Sequence, residues 1–416
     1  MSENWRKAGW AGAAIGVLAA GAAAGVAVER ITVGRGMRRE ARLALDATGD
    51  YGSLRGTGGT CRAEDATELY YETDEVGGVG GVGEPAGSGE TAGTGESGES
   101  GRSAEGADPA AGRPAPVTVV FCHGYCLGQD SWHFQRAALR GVVRSVYWDQ
   151  RSHGRSARGL AQADGEPVTI EQLGRDLKAV LDAAAPEGPL VLVGHSMGGM
   201  TVMAMAEQFP ALVRERVVGV ALIGTSSGGL GEVTYGLPSL GTAVVRGLLP
   251  GVLKLLGSQA ELVERGRRAT ADLLAGMIKL YSFGSREVDP GVARFAERLI
   301  EATPIDVVAE FYPAFQTHDK TAALRLFADI PVTVVAGDRD MITPPGHSEA
   351  IKDALPGAEL VVLESAGHLM MLEHPQAVTA LLAGLLTRTG EVRVPANVGA
   401  HGRSTEGSAA GPGTGG

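Results

Sequence analysis

Residues 190–200, Leu-Val-Leu-Val-Gly-His-Ser-Met-Gly-Gly-Met, leave this chain few ways to fold. An apolar run rich in β-branched residues reads as a buried strand, and a helical pattern begins directly after Gly-His-Ser-Met-Gly. Strand and helix are therefore joined by a very sharp turn. Gly194 and Gly198 carry no Cβ, so the two elements can approach closely on either side of it. Ser196 is expected at the apex, its backbone strained and its hydroxyl raised above one edge of a sheet. Gly-x-Ser-x-Gly means little in a chain with 63 glycines. Its place between a strand and a helix gives it weight.

Further along, residues 117–121, 142–148, 217–223, 332–336 and 359–363 are short apolar runs bounded by Gly, Pro or Asp, and 67–73 alternates as a strand does. Continuous apolar runs suit strands buried on both faces. Helical patterns lie between them. Thr169 and Gln172 have capping-box spacing, with Ile170, Leu173, Leu177 and Leu181 as an apolar stripe behind. Pro375 opens another helix, in which Val378, Leu381, Leu382 and Leu385 share a face. This alternation predicts an α/β fold, a mostly parallel sheet flanked by helices. It lapses between Ile223 and Ile330, where the chain reads as helices alone, including 244–256, 262–280 and 292–301. A helical lid over residues 225–328, inserted after the sixth strand, is expected to cover Ser196.

The flanks differ in kind. Residues 8–28 contain no charge, and a helix of that length spans roughly 30 Å. Gly12/Gly16 and Gly21/Gly25 would allow close helix contact in lipid. Residues 1–45 are thus expected to be a membrane anchor with a basic juxtamembrane stretch. The competing reading is a signal peptide cleaved near Ala22-Ala23-Ala24, against which the apolar run is long. Arg30, Arg35, Arg38, Arg39 and Arg42 outnumber Arg6 and Lys7, so the following domain is expected on the cytoplasmic face, with export as the alternative. The three cysteines, Cys61, Cys122 and Cys126, read as free thiols and agree with that side. Residues 77–116 and 394–416 are rich in Gly, Ser and Pro and are expected to be disordered, which leaves one folded domain over 67–390. A net charge of −11 argues against a nucleic-acid partner. No metal-ligand spacing and no nucleotide or flavin signature is present, so no metal or cofactor is expected.

A serine hydroxyl is a poor nucleophile at neutral pH and needs a base beside it and an acid behind that base. The strand at 332–336 runs into Gly337-Asp338-Arg339-Asp340, and the strand at 359–363 is followed by Gly367-His368. Both sites are strand ends on the same rim as Ser196, the rim where parallel sheets bind ligands. Either aspartate is placed to serve.

On these motifs, residues 67–386 resemble the α/β-hydrolase family, with its lidded esterase, lipase and haloperoxidase-like members. His123-Gly124 resembles the oxyanion loop and residues 149–156 the loop after the next strand. Gly194-His195-Ser196-Met197-Gly198 resembles the nucleophile elbow, Gly337 to Asp340 with Pro344 the acid loop, and Gly367-His368 with Glu373 and Pro375 the histidine loop. The resemblance implies Ser196 as nucleophile, His368 as general base and then acid, and Asp340, third after the glycine, as the orienting carboxylate. Asp338 is left to brace the turn. It implies the backbone N–H groups of Tyr125 and Met197 as oxyanion donors. The implied activity is cleavage of small carboxylic esters, the lid and anchor suiting a hydrophobic or lipid-like acyl group. A cofactor-free perhydrolase, a carbon–carbon bond hydrolase or an acyltransferase would share every motif. A catalytically silent binding protein is a reading from a different class. Serine at the elbow argues against epoxide hydrolases and haloalkane dehalogenases, which need aspartate there. His195 is expected to pack beneath the elbow and His123 to tie its loop to backbone. His133, His153, His318 and His347 are expected in surface or structural roles, and Met200, Met203 and Met205 in the helix core.

Overall fold

A computed structural model of the chain describes residues 50–77, 115–163, 166–232, 280–285, 287–392, 394, 395 and 398. The expected anchor at 8–28, nearly all of the 77–116 insertion, the helix at 244–256, all but the end of that at 262–280, and nearly all of the 394–416 tail lie outside these residues. Among the described residues no helix is long and apolar enough to cross a membrane.

Eight described strands make one sheet: β1 (Thr57–Arg62), β2 (Glu68–Asp74), β3 (Thr118–Cys122), β4 (Arg144–Trp148), β5 (Leu190–His195), β6 (Val217–Ile223), β7 (Val332–Gly337) and β8 (Glu359–Leu363). Their order is β1-β2-β4-β3-β5-β6-β7-β8. β1, β2 and β4 pair antiparallel, and every pair from β4 to β8 is parallel. The predicted α/β class and mostly parallel sheet are what the chain forms.

Two corrections concern the edges. The sheet begins at Thr57, before the expected domain start at 67, because β1 is a half-exposed edge strand with no apolar alternation of its own; its register on β2 holds it. At the other edge β8 is not buried on both faces, and Val362 is 44% exposed. The central β3 and β5 are buried throughout, as their continuous apolar runs require.

The flanking helices are α1 (His133–Leu139), α2 (Ile170–Ala184), α3 (Met197–Gln208), α4 (Pro210–Arg216), α5 (Pro290–Glu301), α6 (Ile305–Gln316), α7 (Pro345–Ala354) and α8 (Pro375–Arg388). On one face Leu177, Leu181, Val202, Met203, Met205 and Ile351 pack with Val120, Leu192 and Val334. On the other, Leu139, Val378, Leu382 and Leu385 pack with Phe121, Val193 and Val335. Complete burial of each such aliphatic side chain contributes about 1.5–3 kcal/mol. The Thr169 capping box is half made. Thr169 Oγ1 accepts from Gln172 N at 3.1 Å, but Gln172 Oε1 accepts from Gln162 Nε2 instead of its side chain turning back to the cap.

Between β6 and β7 the longer described elements are helical. The expected helix at 292–301 appears as α5. Beyond it α6 carries Pro313 inside it, a residue that ordinarily ends a helix. Val307, Phe311 and Ala314 of α6 share an apolar cluster with Met197 and Met200 of α3, so part of the inserted region packs beside the elbow.

Candidate active site

Ser196 sits between β5 and α3 with φ +52° and ψ −119°, a conformation that strains any residue bearing a Cβ. Its surroundings enforce it. A Cβ on Gly198 would lie 2.1 Å from the carbonyl oxygen of Cys122, so β3 and α3 can only meet across a glycine. Ser196 N donates to Ile223 O at 3.0 Å, and Thr225 Oγ1 donates to Ser196 O at 2.7 Å, fastening the turn to the end of β6. Ser196 is 7% exposed, at the rim of the sheet rather than outside it.

The acid and imidazole loops follow β7 and β8 and meet. Asp340 Oδ2 lies 2.8 Å from His368 Nδ1. Asp338 does not reach the imidazole; its Oδ1 accepts from Ala366 N at 3.2 Å and braces the loop before His368. Asp340 is buried and well supplied with donors. Its Oδ1 accepts from Ile342 N at 2.8 Å and Thr343 N at 2.9 Å, and Oδ2 also accepts from Thr343 Oγ1 at 2.8 Å. Burial pushes the Asp340 carboxyl up, but its pairing with His368 and the bonds from Thr343 outweigh it, and the group is held below the usual carboxylate range. An ionised Asp340 fixes the proton of His368 on Nδ1 and leaves Nε2 as the basic nitrogen.

His368 is tied to the elbow through His195. The two rings lie 4.8 Å apart, and His195 Nε2 is 2.9 Å from the His368 carbonyl oxygen, a bond that requires Nε2 to carry the proton. Burial, then the neighbouring His368 imidazole, push the His195 imidazole down to about 3, so it is neutral and structural, as expected.

The loop after β3 closes over the turn. A Cβ on Gly124 would lie 2.6 Å from His195 Nδ1 and 3.2 Å from Ser196 Cβ. His123 accepts from Gln150 N at 2.9 Å through Nε2, so Nδ1 donates to Gly124 O at 2.7 Å. Tyr125 follows at once, and Met197 opens α3. Neither backbone N–H has a hydrogen-bond partner among the described residues. Tyr125 reaches the inserted helix: its hydroxyl donates to Val308 O, and its ring stacks on Phe311 with centroids 6.2 Å apart.

The remaining candidates fall into structural roles. His153 Nε2 accepts from Cys126 N at 3.2 Å, and His318 Nε2 lies 2.9 Å from Ser226 O; both are buried. Gly52 N donates to His133 Nδ1, and His347 Nδ1 lies 2.9 Å from Ser226 Oγ. Met200, Met203 and Met205 are buried in α3. The cysteines are free thiols. No cluster of metal-ligating side chains occurs among the described residues. Sequence reasoning missed Thr225, Thr343, Gln150 and Glu373 as supports. Their only sequence signal is polarity inside or beside a motif; Thr343 reaches back three residues to Asp340, while Thr225, Gln150 and Glu373 bond to Ser196, His123 and Gly284, 27 to 89 residues away.

A serine on a strand–turn–helix corner and a paired aspartate and histidine thus sit on one rim of a mostly parallel sheet flanked by helices, the architecture of an α/β hydrolase fold. The chain belongs to the alpha/beta hydrolase fold family, whose sequence profile matches residues 117–375. It is similar to the dihydrolipoyllysine-residue acetyltransferase component of the acetoin cleaving system of Pseudomonas putida, 28% identical over 272 residues, covering 65% of this chain and 63% of the relative. The chain thus spans less than two thirds of that relative's length. It is also similar to 3-oxoadipate enol-lactonase 2 of Acinetobacter baylyi, 27% identical over 286 residues, covering 67% of this chain and 90% of the relative. Among solved structures, an esterase from a Rhodococcus species shares the fold, with a TM-score of 0.57, 19% identity and coverage of 80% of this chain and 100% of that one.

Proposed function

We propose that the chain is a serine hydrolase that cleaves carboxylic esters through an acyl-enzyme on Ser196. The observation that carries this reading is the 2.8 Å contact between His368 Nδ1 and Asp340 Oδ2 on the rim that presents Ser196. His368 Nε2 takes the Ser196 proton as Oγ bonds to the ester carbonyl carbon. The oxyanion that forms is held by the N–H groups of Tyr125 and Met197, each worth about 10²–10³ in turnover. Collapse breaks the bond to the alkoxy group, which leaves with the proton from Nε2. Water then gives a proton to Nε2 and attacks the acyl carbon, and the carboxylic acid departs as Ser196 Oγ regains its proton.

Relatives named for an enol-lactonase and a methyl ester esterase support ester chemistry, since a lactone is a cyclic ester. The apolar side chains of α6 beside Met197 support a hydrophobic acyl group, and lid status for the inserted region belongs to the same reading. Residues 8–28 are read as a membrane anchor with the catalytic domain on the cytoplasmic face. The full chain is then expected to sediment with membranes, and an intact N-terminus in the soluble fraction would overturn that part alone.

A fluorophosphonate probe is expected to label the protein and to fail on Ser196→Ala, with p-nitrophenyl ester turnover lost in parallel. Labelling that survives the substitution overturns the assignment. A chain-length series from acetate to palmitate reads the acyl preference.

A further inference from the structure

The backbone around His368 is held from three directions. Gly367 N donates to Glu373 Oε2 at 2.7 Å, Leu369 N donates to Ser282 O at 2.8 Å, and the His368 carbonyl takes the bond from His195. Glu373 does more than hold Gly367. The same Oε2 accepts from Gly284 N at 3.0 Å, and Oε1 accepts from Ser285 N at 2.7 Å. One carboxylate thus gathers three backbone N–H groups from two chain segments, the histidine loop and residues 282–285 of the insertion between β6 and β7. Hydrogen bonds of this charge-assisted kind are roughly twice as strong as neutral ones.

The two segments are in flush contact. A Cβ on Gly367 would lie 2.4 Å from Gly284 N, and one on Gly284 would lie 2.6 Å from Ser365 O. Arg339, between the two acid-loop aspartates, adds a bond from Nη1 to Gly284 O at 3.0 Å and another from its backbone N to Ala366 O. The imidazole that must meet Ser196 therefore rides on a loop whose rigidity depends on a segment of the inserted region.

We propose that Glu373 is a positioning residue that clamps the histidine loop to residues 282–285, so that the seating of the inserted region sets the alignment of His368 with Ser196. The proposal rests on the serine-hydrolase reading for its kinetic consequence, but the clamp itself has a readout that needs no turnover. Glu373→Gln keeps the size of the side chain and replaces one acceptor oxygen with an NH₂ that faces backbone donors. In the full-length protein, kcat for p-nitrophenyl acetate is expected to fall roughly 10- to 100-fold with KM within about twofold, as misplacement of a catalytic group does. Amide hydrogen exchange is expected to accelerate together in residues 282–285 and 365–369. The milder Arg339→Met, which removes one bond to the same segment, is expected to shift both readouts in the same direction by less, and it decides the matter if Glu373→Gln does not fold. Unchanged kcat, or faster exchange in only one of the two segments, overturns the clamp. Absence of Ser196-dependent hydrolysis in the parent protein, with coupled exchange intact, overturns the serine-hydrolase reading and leaves the clamp standing.

Discussion

Asp340 accepts four hydrogen bonds, and one of them comes from a side chain that no catalytic motif requires. Thr343 Oγ1 donates to Oδ2 at 2.8 Å and lies 3.3 Å from His368 Nδ1, so it helps hold the buried carboxylate against the imidazole. Removing one partner of a buried charged acceptor costs about 1–3 kcal/mol, part of which appears in the barrier if the bond orients the reacting group. Thr343→Val, nearly the same shape without the hydroxyl, is expected to lower kcat for ester hydrolysis about tenfold. Thr343→Ser is expected to restore most of it. Steady-state kinetics on both variants is the check, and a valine variant with parental kcat would show that the backbone donors suffice. Asp340→Asn goes further, because the amide cannot hold the proton on Nδ1, and a loss of about 10⁴-fold is expected.

α2 shows how much of a helix is written locally and how much is borrowed. Its stripe Ile170, Leu173, Leu177 and Leu181 is buried as the 3.6-residue period requires. Its cap delivers one bond of the two that the box spacing offers, since Gln172 is drawn to Gln162. Thr169→Ala is therefore expected to cost about 1 kcal/mol, read as a lower urea midpoint with unchanged slope. α6 makes the opposite point. Pro313 should have stopped it, yet the helix runs through that position because Val307, Phe311 and Ala314 are buried in the cluster with Met197 and Met200.

Around the rim the molecule buries histidines that must stay neutral. Burial pushes His123 down to about 4, and burial followed by the neighbouring His123 imidazole takes His153 to about 3; His195 is also at about 3. Unfolded, each titrates near 6.5, so between that pH and 3–4 the unfolded chain binds protons that the folded one does not. Stability is accordingly full above pH 6.5 and is lost as pH falls toward 3–4. At about pH 5 each histidine is expected to have removed about 2 kcal/mol. Asp149, whose carboxyl burial raises, titrates in the opposite sense and offsets part of the loss. Urea denaturation at pH 7 and about pH 5 is expected to show the difference, and equal stability at the two values would mean these rings take up protons in place. The same region is braced by buried ion pairs. Arg151 holds Asp176 of α2 through two bonds of 2.6 Å and reaches Asp65 before β2, fixing the loop that carries Gln150.

Local chemistry alone wrote the elbow, the two loops with Asp340 and His368, and the central strands. A glycine beside a strained serine, a turn after an apolar run and a 3.6-residue stripe are properties of neighbours in the chain. What folding had to settle is whatever depends on neighbours in space. β1 has no pattern of its own and exists by pairing with β2. The motif resemblance preferred Asp340 to Asp338, and the fold gives the physical grounds by turning one toward His368 and the other toward Ala366 N. Thr225, Thr343 and Glu373 acquire their meaning in the same way. Each is an ordinary polar residue until the packed chain brings a particular group within about 3 Å, because a hydrogen bond is a matter of distance and angle and no sequence spacing encodes either across the 29 residues from Ser196 to Thr225 or the 89 from Gly284 to Glu373.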